Sequence, residues 1–366
     1  MRVLCTVGTR PNFMKMAPVV RSLESCGIEA PLVHTGQHYD HAMSEVFFEE
    51  LGMPRPVQNL GVGSGTHAQQ TARVLVAFEQ VCIEMEPDLV LVAGDVNSTV
   101  ACALVAAKLH CPVGHVESGL RSFDRSMPEE VNRIVTDHLS SLLFVTEESG
   151  LRNLESEGIP SDRIHLVGNT MIDTLRENIE SAVARRSWEA LVGLQPKKYA
   201  LATVHRPENV DDPQSLEHVI KILGEVARSV PVVFPAHPRT RDRIIDFGFE
   251  QKLPLHLIDP LPYLDFLGLM AEAAVVLTDS GGVQEETTAL GVPCLTLREN
   301  TERPVTIEQG TNRLVGLNQD AILQSVSQVF AGDWPKGQVP DLWDGKASFR
   351  LSEVLKKWGG SGNHEH

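Results

Sequence analysis

The residues able to do chemistry fall where apolar runs end. Asp95 follows LVLVAG, Glu117 lies near the end of PVGHVES, and His205 closes ALATVH. Two carboxylates beside one substrate can act as proton acceptor and donor when their surroundings separate their pKa values. Glu129 and Glu130 of MPEEVNR, Arg121 of GLRS and the Arg206 and Glu208 of HRPEN extend this charged set. Taken singly, each has a plainer reading. Asp95 before Val-Asn-Ser-Thr could cap a helix, Glu129 after Met-Pro could be a first-turn acid favoured by the helix dipole, and His205 could be a solvated loop residue.

A second chemistry is anion capture. In AVVLTDSGGVQEETTALG (274–291) a buried-type strand runs through Ser280, Gly281 and Gly282 straight into a helix. Free amides and roughly half a unit of positive charge at such an N-terminus favour phosphate. Glu286, a turn or two further on, could accept hydrogen bonds from ribose hydroxyls. VGTRPNFMKMAPV (7–19) is a similar junction, with Arg10 just past the strand, Pro11 suited to the first helical position and Lys15 one turn on. No G-x-G-x-x-G follows the first strand and no G-x-x-x-x-G-K-[ST] occurs, which disfavours dinucleotide and P-loop chemistry. No G-x-S-x-G elbow points to a serine hydrolase, and no H-E-x-x-H or comparable spacing among the fourteen histidines points to a metal. GVGSG (61–65) follows no strong strand and is expected to be a flexible loop.

These residues need a scaffold that brings strand ends together. Apolar runs of four to six residues alternate with amphipathic stretches of helical length, such as 67–85 and 128–141, along the whole chain. Near-continuous Val/Leu runs rather than period-2 alternation imply strands buried on both faces, hence parallel sheets covered by helices. Two such series predict an α/β chain of two doubly wound, Rossmann-like domains. The expected bounds are 1–170 and 171–345, with a C-terminal helix at about 346–358 packing back on the first domain and a disordered tail at 359–366. Ligands of open parallel sheets bind beyond the carboxyl ends of the strands. The polar residues at or just past these ends also include Gln37, His38, His115, Asn169, His237, Asp279 and Arg298. Two sheets facing a central cleft would gather them around one ligand.

Composition narrows the partners. At 366 residues, with roughly 150 typical of one domain, two domains are expected. Acids exceed bases by 48 − 32 = 16 with no basic block, so neither nucleic acid nor an anionic membrane is expected as partner. No apolar stretch reaches the roughly 18 residues of a membrane span and MRVLCTVGTRP lacks a signal-peptide core, so a cytoplasmic protein is expected. Six cysteines without a C-x-x-C read as small buried hydrophobes.

Together, GTRPNFMKMAPV, LVAGDVNSTVA, GHVESGLR, MPEEVNR, LVGNTMIDTL, TVHRPEN, LTDSGGVQEE and TERP resemble, in order over roughly residues 1 to 320, the non-hydrolysing UDP-N-acetylglucosamine 2-epimerases. The resemblance implies a two-domain fold of the GT-B type with a UDP-sugar between the domains, the second domain binding UDP. It implies reversible conversion of UDP-N-acetylglucosamine to UDP-N-acetylmannosamine by elimination of UDP to 2-acetamidoglucal and re-addition, with no metal, no nicotinamide and a homodimeric enzyme. Residue by residue, it implies that Asp95, Glu117, Glu129 and His205 are catalytic. Arg10, Lys15, Phe266, Ser280, Gly281, Gly282, Glu286 and Arg303 would bind substrate, Phe266 near uracil. The sequence departs from the family pattern at Asn12 and Val305, where Glu is commoner, and at Leu261, where some members carry Gln. The alternatives are a UDP-sugar-dependent glycosyltransferase, a hydrolysing epimerase and a non-catalytic UDP-sugar sensor.

Overall fold

A computed structural model of the chain describes residues 1–36, 48–190, 193–249 and 255–360. Gln37, His38 and the end of the expected tail, 361–366, lie outside the described residues. The described chain divides into two compact units, Met1–Thr174 with Asp341–His366, and Leu175–Pro340.

In the first unit the strands are β1 (Val3–Val7), β2 (Leu32–His34), β3 (Gln58–Asn59), β4 (Leu89–Ala93), β5 (Val113–Ser118), β6 (Leu142–Val145) and β7 (Ile164–Leu166). They form one sheet in the order β3-β2-β1-β4-β5-β6-β7, and every recorded pair is parallel. The second unit holds β8 (Ala200–Thr203), β9 (Val232–Pro235), β10 (His256–Ile258), β11 (Val275–Thr278), β12 (Cys294–Thr296) and β13 (Asn312–Leu314). Their order is β10-β9-β8-β11-β12-β13, again parallel throughout. Both are doubly wound α/β sheets: the chain builds outward from the first strand, returns, and builds outward the other way. Because β-α-β crossovers are right-handed, helices on the two sides of that reversal cover opposite faces.

The apolar runs become these strands because burial on both faces rewards unbroken Val/Leu. All five residues of β1 and all five of β4 are buried. Strands toward the sheet edges depart from that logic, β3 furthest. β3 is two exposed polar residues held at the sheet edge by pairing with β2. The 61–65 segment that follows is pinned rather than loose, since Val62 and Gly63 donate backbone hydrogen bonds to Thr35 O and Gly36 O at 3.2 and 2.9 Å.

The unit boundaries differ from 170/171 and 345/346, and the reason is hydrogen bonding. Thr174 Oγ1 donates to Met14 O at 2.6 Å, and the buried Asp173 carboxylate accepts from Ala347 N (3.1 Å), Ser348 N (2.7 Å) and Ser348 Oγ (2.7 Å). Trp343 Nε1 donates to Thr146 O at 3.1 Å. The residues on both sides of the second unit therefore belong to the first. The last helix, Ala347–Gly360, also meets the helix Arg10–Ser25 through a Ser22–Ser352 hydroxyl contact of 2.9 Å. It runs two residues into the expected tail, so Gly359 and Gly360 are helical rather than disordered. Among the described residues no helix is long and apolar enough to cross a membrane.

Candidate active site

In the first sheet the reversal lies between β1 and β4, so the turns after these two strands flank one crevice. After β1 the chain enters the helix Arg10–Ser25. Asn12 locks that entry: its Oδ1 accepts from Gly8 N, Thr9 N and Thr9 Oγ1 at 3.2, 3.0 and 3.0 Å, while its Nδ2 donates to Ala93 O at the end of β4, 2.8 Å away. A glutamate could accept as Asn12 does but could not donate to that carbonyl. This gives the departure at Asn12 a structural meaning, as a tie between two strand ends.

Lys15, one turn on, is buried and forms an ion pair with Glu117 Oε2 at 2.6 Å. Glu117 sits where the pairing of β5 with β6 slips between Val116 and Ser118, and its φ is +69°. A non-glycine residue in that left-handed region costs of order 1 kcal/mol, a strain that clusters at functional positions. Gly94, after β4, has φ +67°, and a methyl group there would come within 3.1 Å of Lys15 Nζ. The glycine therefore serves both the turn and the close approach of the ammonium. Asp95, next in the chain, is 21% exposed at its side chain and accepts at Oδ2 from Arg133 Nη2 and from Nε at 3.2 Å. Arg133 also pairs with Glu130 Oε2 at 2.6 Å, and Glu130 accepts Ser122 N, Ser122 Oγ and Phe123 N at 2.9, 3.0 and 2.9 Å.

Glu129 and Glu130 are thus neighbours with different fates. Glu130 is buried and clamps the 122–123 loop. Glu129 is half-buried on the first turn of the helix Pro128–Leu139, and its side chain makes no hydrogen bond or ion pair to a described residue. Arg10 is half-buried at the first helical position of its own junction. Arg121 is structural: it forks onto Glu157 at 2.8 and 2.8 Å and meets Asp137 Oδ2 at 2.7 Å.

The second sheet reverses between β8 and β11. His205 lies two residues past β8, and Asp279 one past β11. Asp279 is fully buried and organises the turn opposite it: its oxygens accept His205 N at 3.2 and 3.1 Å, Arg206 N at 3.0 Å and Asn209 Nδ2 at 2.9 Å, and Oδ1 lies 3.2 Å from His205 Nδ1. Burial alone would raise its pKa; the charge and hydrogen bond of His205 and the donors from Asn209 and Arg206 outweigh that and hold it at about 2. The His205 side chain remains 41% exposed, its ring 5.8 Å from that of His237.

Past Asp279, Ser280 stands at the N-cap position of the helix Gly281–Leu290 without a side-chain cap bond, and Ser280, Gly281 and Gly282 are all half-buried. A Cβ on Gly281 would lie 2.3 Å from Arg303 Nη1, so the guanidinium rests against the start of the helix. Arg303 is buried there between Glu285 (2.8 Å) and Glu302. Glu302 also pairs with Arg298 at 2.9 Å and reaches Arg206 at 3.7 Å. Glu286 is buried and accepts from Tyr263 Oη at 3.0 Å. Phe266 stands three residues on from Tyr263 in the helix Tyr263–Ala271, hence on the same side, and is half-buried.

The structure therefore gathers Lys15 with Glu117 and sets Asp95 on the neighbouring strand end, while Gly281 meets Arg303. Sequence reasoning gave no role to Arg133 or Tyr263, and named Glu130 and Asp279 only among charged and strand-end residues, not as clamps. The one available signal was an aspartate directly after β11, which marks a strand end but does not tell a clamp from a reactive group.

Residues 21–356 match the family model described as UDP-N-acetylglucosamine 2-epimerase. The chain is 44% identical over 334 residues to the UDP-N-acetylglucosamine 2-epimerase of Methanocaldococcus jannaschii, covering 89% of this chain and 91% of that protein. It is 41% identical over 362 residues to the UDP-2,3-diacetamido-2,3-dideoxy-D-glucuronate 2-epimerase of Pseudomonas aeruginosa, covering 98% of this chain and all of that one. A crystal structure of the M. jannaschii enzyme in complex with UDP-GlcNAc and UDP superposes with a TM-score of 0.91 at 42% identity, over 98% of this chain and 100% of that chain.

Proposed function

The chain belongs to the UDP-N-acetylglucosamine 2-epimerase family, and from that premise we propose that it interconverts UDP-N-acetylglucosamine and UDP-N-acetylmannosamine without net hydrolysis. The observation that carries the reading is the pairing of Lys15 with Glu117 beside Asp95 at the reversal of the first sheet, which sets two acids at adjacent strand ends.

The hydrogen on C2 of a 2-acetamido sugar has no adjacent carbonyl to acidify it. Its removal becomes feasible only as the C1–O bond breaks. A carboxylate takes the proton, the C2–H electron pair forms the C1–C2 double bond of 2-acetamidoglucal, and the C1–O pair leaves on UDP. Return of the UDP oxygen to C1 with a proton delivered to the other face of C2 completes the inversion. In this reading Asp95 and Glu117 handle C2, while Glu129 and His205 serve the anomeric and diphosphate end. Charge developing on the departing β-phosphate falls to Arg10, to the helix start at Ser280, Gly281 and Gly282, and to Arg303. Glu286 takes the ribose and Phe266 packs near uracil. Lys15 orients Glu117 and adds positive charge near the sugar end of the diphosphate. A glycosyltransferase or a sensor would have no use for acids at C2, and family membership favours the epimerase over both.

A second sugar is favoured by one specific finding. The relative named for UDP-2,3-diacetamido-2,3-dideoxy-D-glucuronate matches over nearly the whole of both chains at 41% identity. Incubation with each UDP-sugar in heavy water, followed by proton NMR, separates the readings. Deuterium at C2 with a new manno-configured UDP-sugar identifies the substrate. Free N-acetylmannosamine with stoichiometric UDP would replace the non-hydrolysing assignment by the hydrolysing one, and no exchange on either sugar would end the epimerase reading.

We also propose a homodimer. Val76 and Ile83 on the helix His67–Met85 and Val131 and Val135 on the helix Pro128–Leu139 are exposed apolar residues. A pocket of about 530 Å³ lies between the two helices, lined among others by Ala72, Leu75 and Val131. Exposed apolar residues gathered beside an open pocket suit a partner surface. Light scattering that returns a single-chain mass at micromolar concentration would exclude it.

A further inference from the structure

Asp95 and Glu117 sit on different turns, and catalysis by two groups requires that their separation be fixed. Neither Lys15 nor Arg133 does this, since each holds one acid to its own helix. Beneath them lies a fully buried pair, His115 on β5 and Asp137 on the helix Pro128–Leu139. His115 Nε2 is 2.8 Å from Gly94 O, the carbonyl of the residue before Asp95. His115 Nδ1 is 2.7 Å from Asp137 Oδ1. The other oxygen of Asp137 accepts Gly119 N at 3.2 Å, two residues after Glu117, and meets Arg121 Nη1 at 2.7 Å. One hydrogen-bonded bridge thus runs from the turn that carries Asp95 to the slipped end of β5 that carries Glu117. Burial would raise the pKa of Asp137, but His115 and Arg121 outweigh it and hold the carboxyl below its ordinary value. With acceptors on both sides, both ring nitrogens of His115 donate. Such a buried, fully satisfied network is rigid.

We infer that His115 and Asp137 are positioning residues, which fix the two acids relative to one another through Gly94 O and Gly119 N without touching substrate. The inference rests on the epimerase reading for what the two acids do, though the bridge itself is a matter of hydrogen bonding alone.

Two variants of one side chain test it. In His115→Asn the amide nitrogen falls near the position of Nδ1, keeping the bond to Asp137 and losing Gly94 O. In His115→Gln it falls near Nε2, keeping Gly94 O. Positioning predicts that His115→Asn lowers kcat about 100-fold, the scale of an ångström-sized misplacement. KM should stay within about threefold and calorimetric affinity for UDP should be unchanged, because ground-state binding is spared. His115→Gln, which breaks the bridge at Asp137 instead, should also lower kcat by at least about tenfold with UDP affinity unchanged. A kcat for His115→Asn within about threefold of wild type would overturn the inference. So would a loss in either variant that is matched by UDP affinity falling in step with the folded fraction. Where the variants do not fold, the wild-type protein decides. Labelling with 15N-histidine should reveal one imidazole whose two N–H protons both exchange slowly with solvent, as two buried hydrogen bonds require. A spectrum in which no imidazole keeps both would refute the bridge. Failure of wild type to turn over any UDP-sugar, with that spectrum present, would sink the functional reading and leave the bridge standing.

Discussion

The two sheets place an aspartate at corresponding points, Asp95 just past β4 and Asp279 just past β11, and use them in opposite ways. Asp95 is partly exposed, with its oxygen Oδ2 held by Arg133, and is the acid proposed to act at C2. Asp279 is fully buried beneath donors from His205, Arg206 and Asn209, and it is the opposite turn that reaches solvent through His205. A strand-end carboxylate closed in by local donors is a clamp, as Asp279 is, whereas the partly exposed Asp95 fits the reagent role proposed for it. Gly94 is part of the difference: its left-handed turn sets Asp95 two residues beyond its strand, whereas Asp279 follows Thr278 directly and meets the backbone of the neighbouring turn.

The contrast can be broken most decisively at the proposed reagents. Asp95→Asn and Glu117→Gln should each cost about a thousandfold in deuterium exchange at C2, within the range for losing an acid–base group. Thermal stability should change little for Asp95→Asn. Unaltered exchange in either variant would mean that the first sheet, too, carries a clamp.

At the clamp the order of effects reverses. Asp279→Asn should destabilise by about 3 kcal/mol, as when one partner of a buried charged network is removed. Its pH dependence follows from a native pKa of about 2 against an ordinary 3.8. A depressed carboxylate pKa stabilises the fold above the unfolded value, and that increment, roughly 2 kcal/mol, fades as pH falls from about 4 to about 2. Acid titration of urea midpoints should show this limb in wild type and not in Asp279→Asn. A variant that keeps the limb would assign it to another group.

Smaller effects sharpen the comparison. Gly281→Ala would push the Arg303 guanidinium off the helix start, since the added methyl would meet Nη1 at 2.3 Å. UDP affinity should fall about tenfold, equivalent to about 1.4 kcal/mol, with the fold retained because the atoms the methyl would meet, of Arg303 and Glu302, are side-chain ends rather than backbone. Calorimetry showing unchanged affinity would remove Arg303 from the diphosphate site. Asn12→Glu, which restores the commoner family residue, should lose the bond to Ala93 O at a cost of about 1 kcal/mol. Equal or greater stability in that variant would show the tie to β4 to be dispensable.

Much of the scaffold was legible because burial on both faces leaves an apolar signature. β4 and β11 announce themselves as LVLVA and VVLT. The edge strand Gln58–Asn59 does not, since its order comes from pairing with β2 rather than from its own side chains. The candidate acids were legible as strand-end residues, yet Glu129 and Glu130 are alike in sequence and differ only in which way the helix turns them. Gly281 was legible as a glycine at a helix start. That an arginine twenty-two positions away leans on it depends on how two loops meet, which no local pattern encodes.

Connectivity has a consequence for biosynthesis. Since Leu175–Pro340 is inserted within the other unit, and Asp173 waits for the backbone of Ala347 and Ser348, the ribosome delivers the pieces out of order. The inserted lobe is complete in itself once its last helix has left the exit tunnel, whereas the lobe begun first stays unfinished until the helix Ala347–Gly360 has emerged as well. A nascent chain arrested near residue 345 would thus carry a finished late half and an open early one, with the acid-bearing sheet awaiting its final helix.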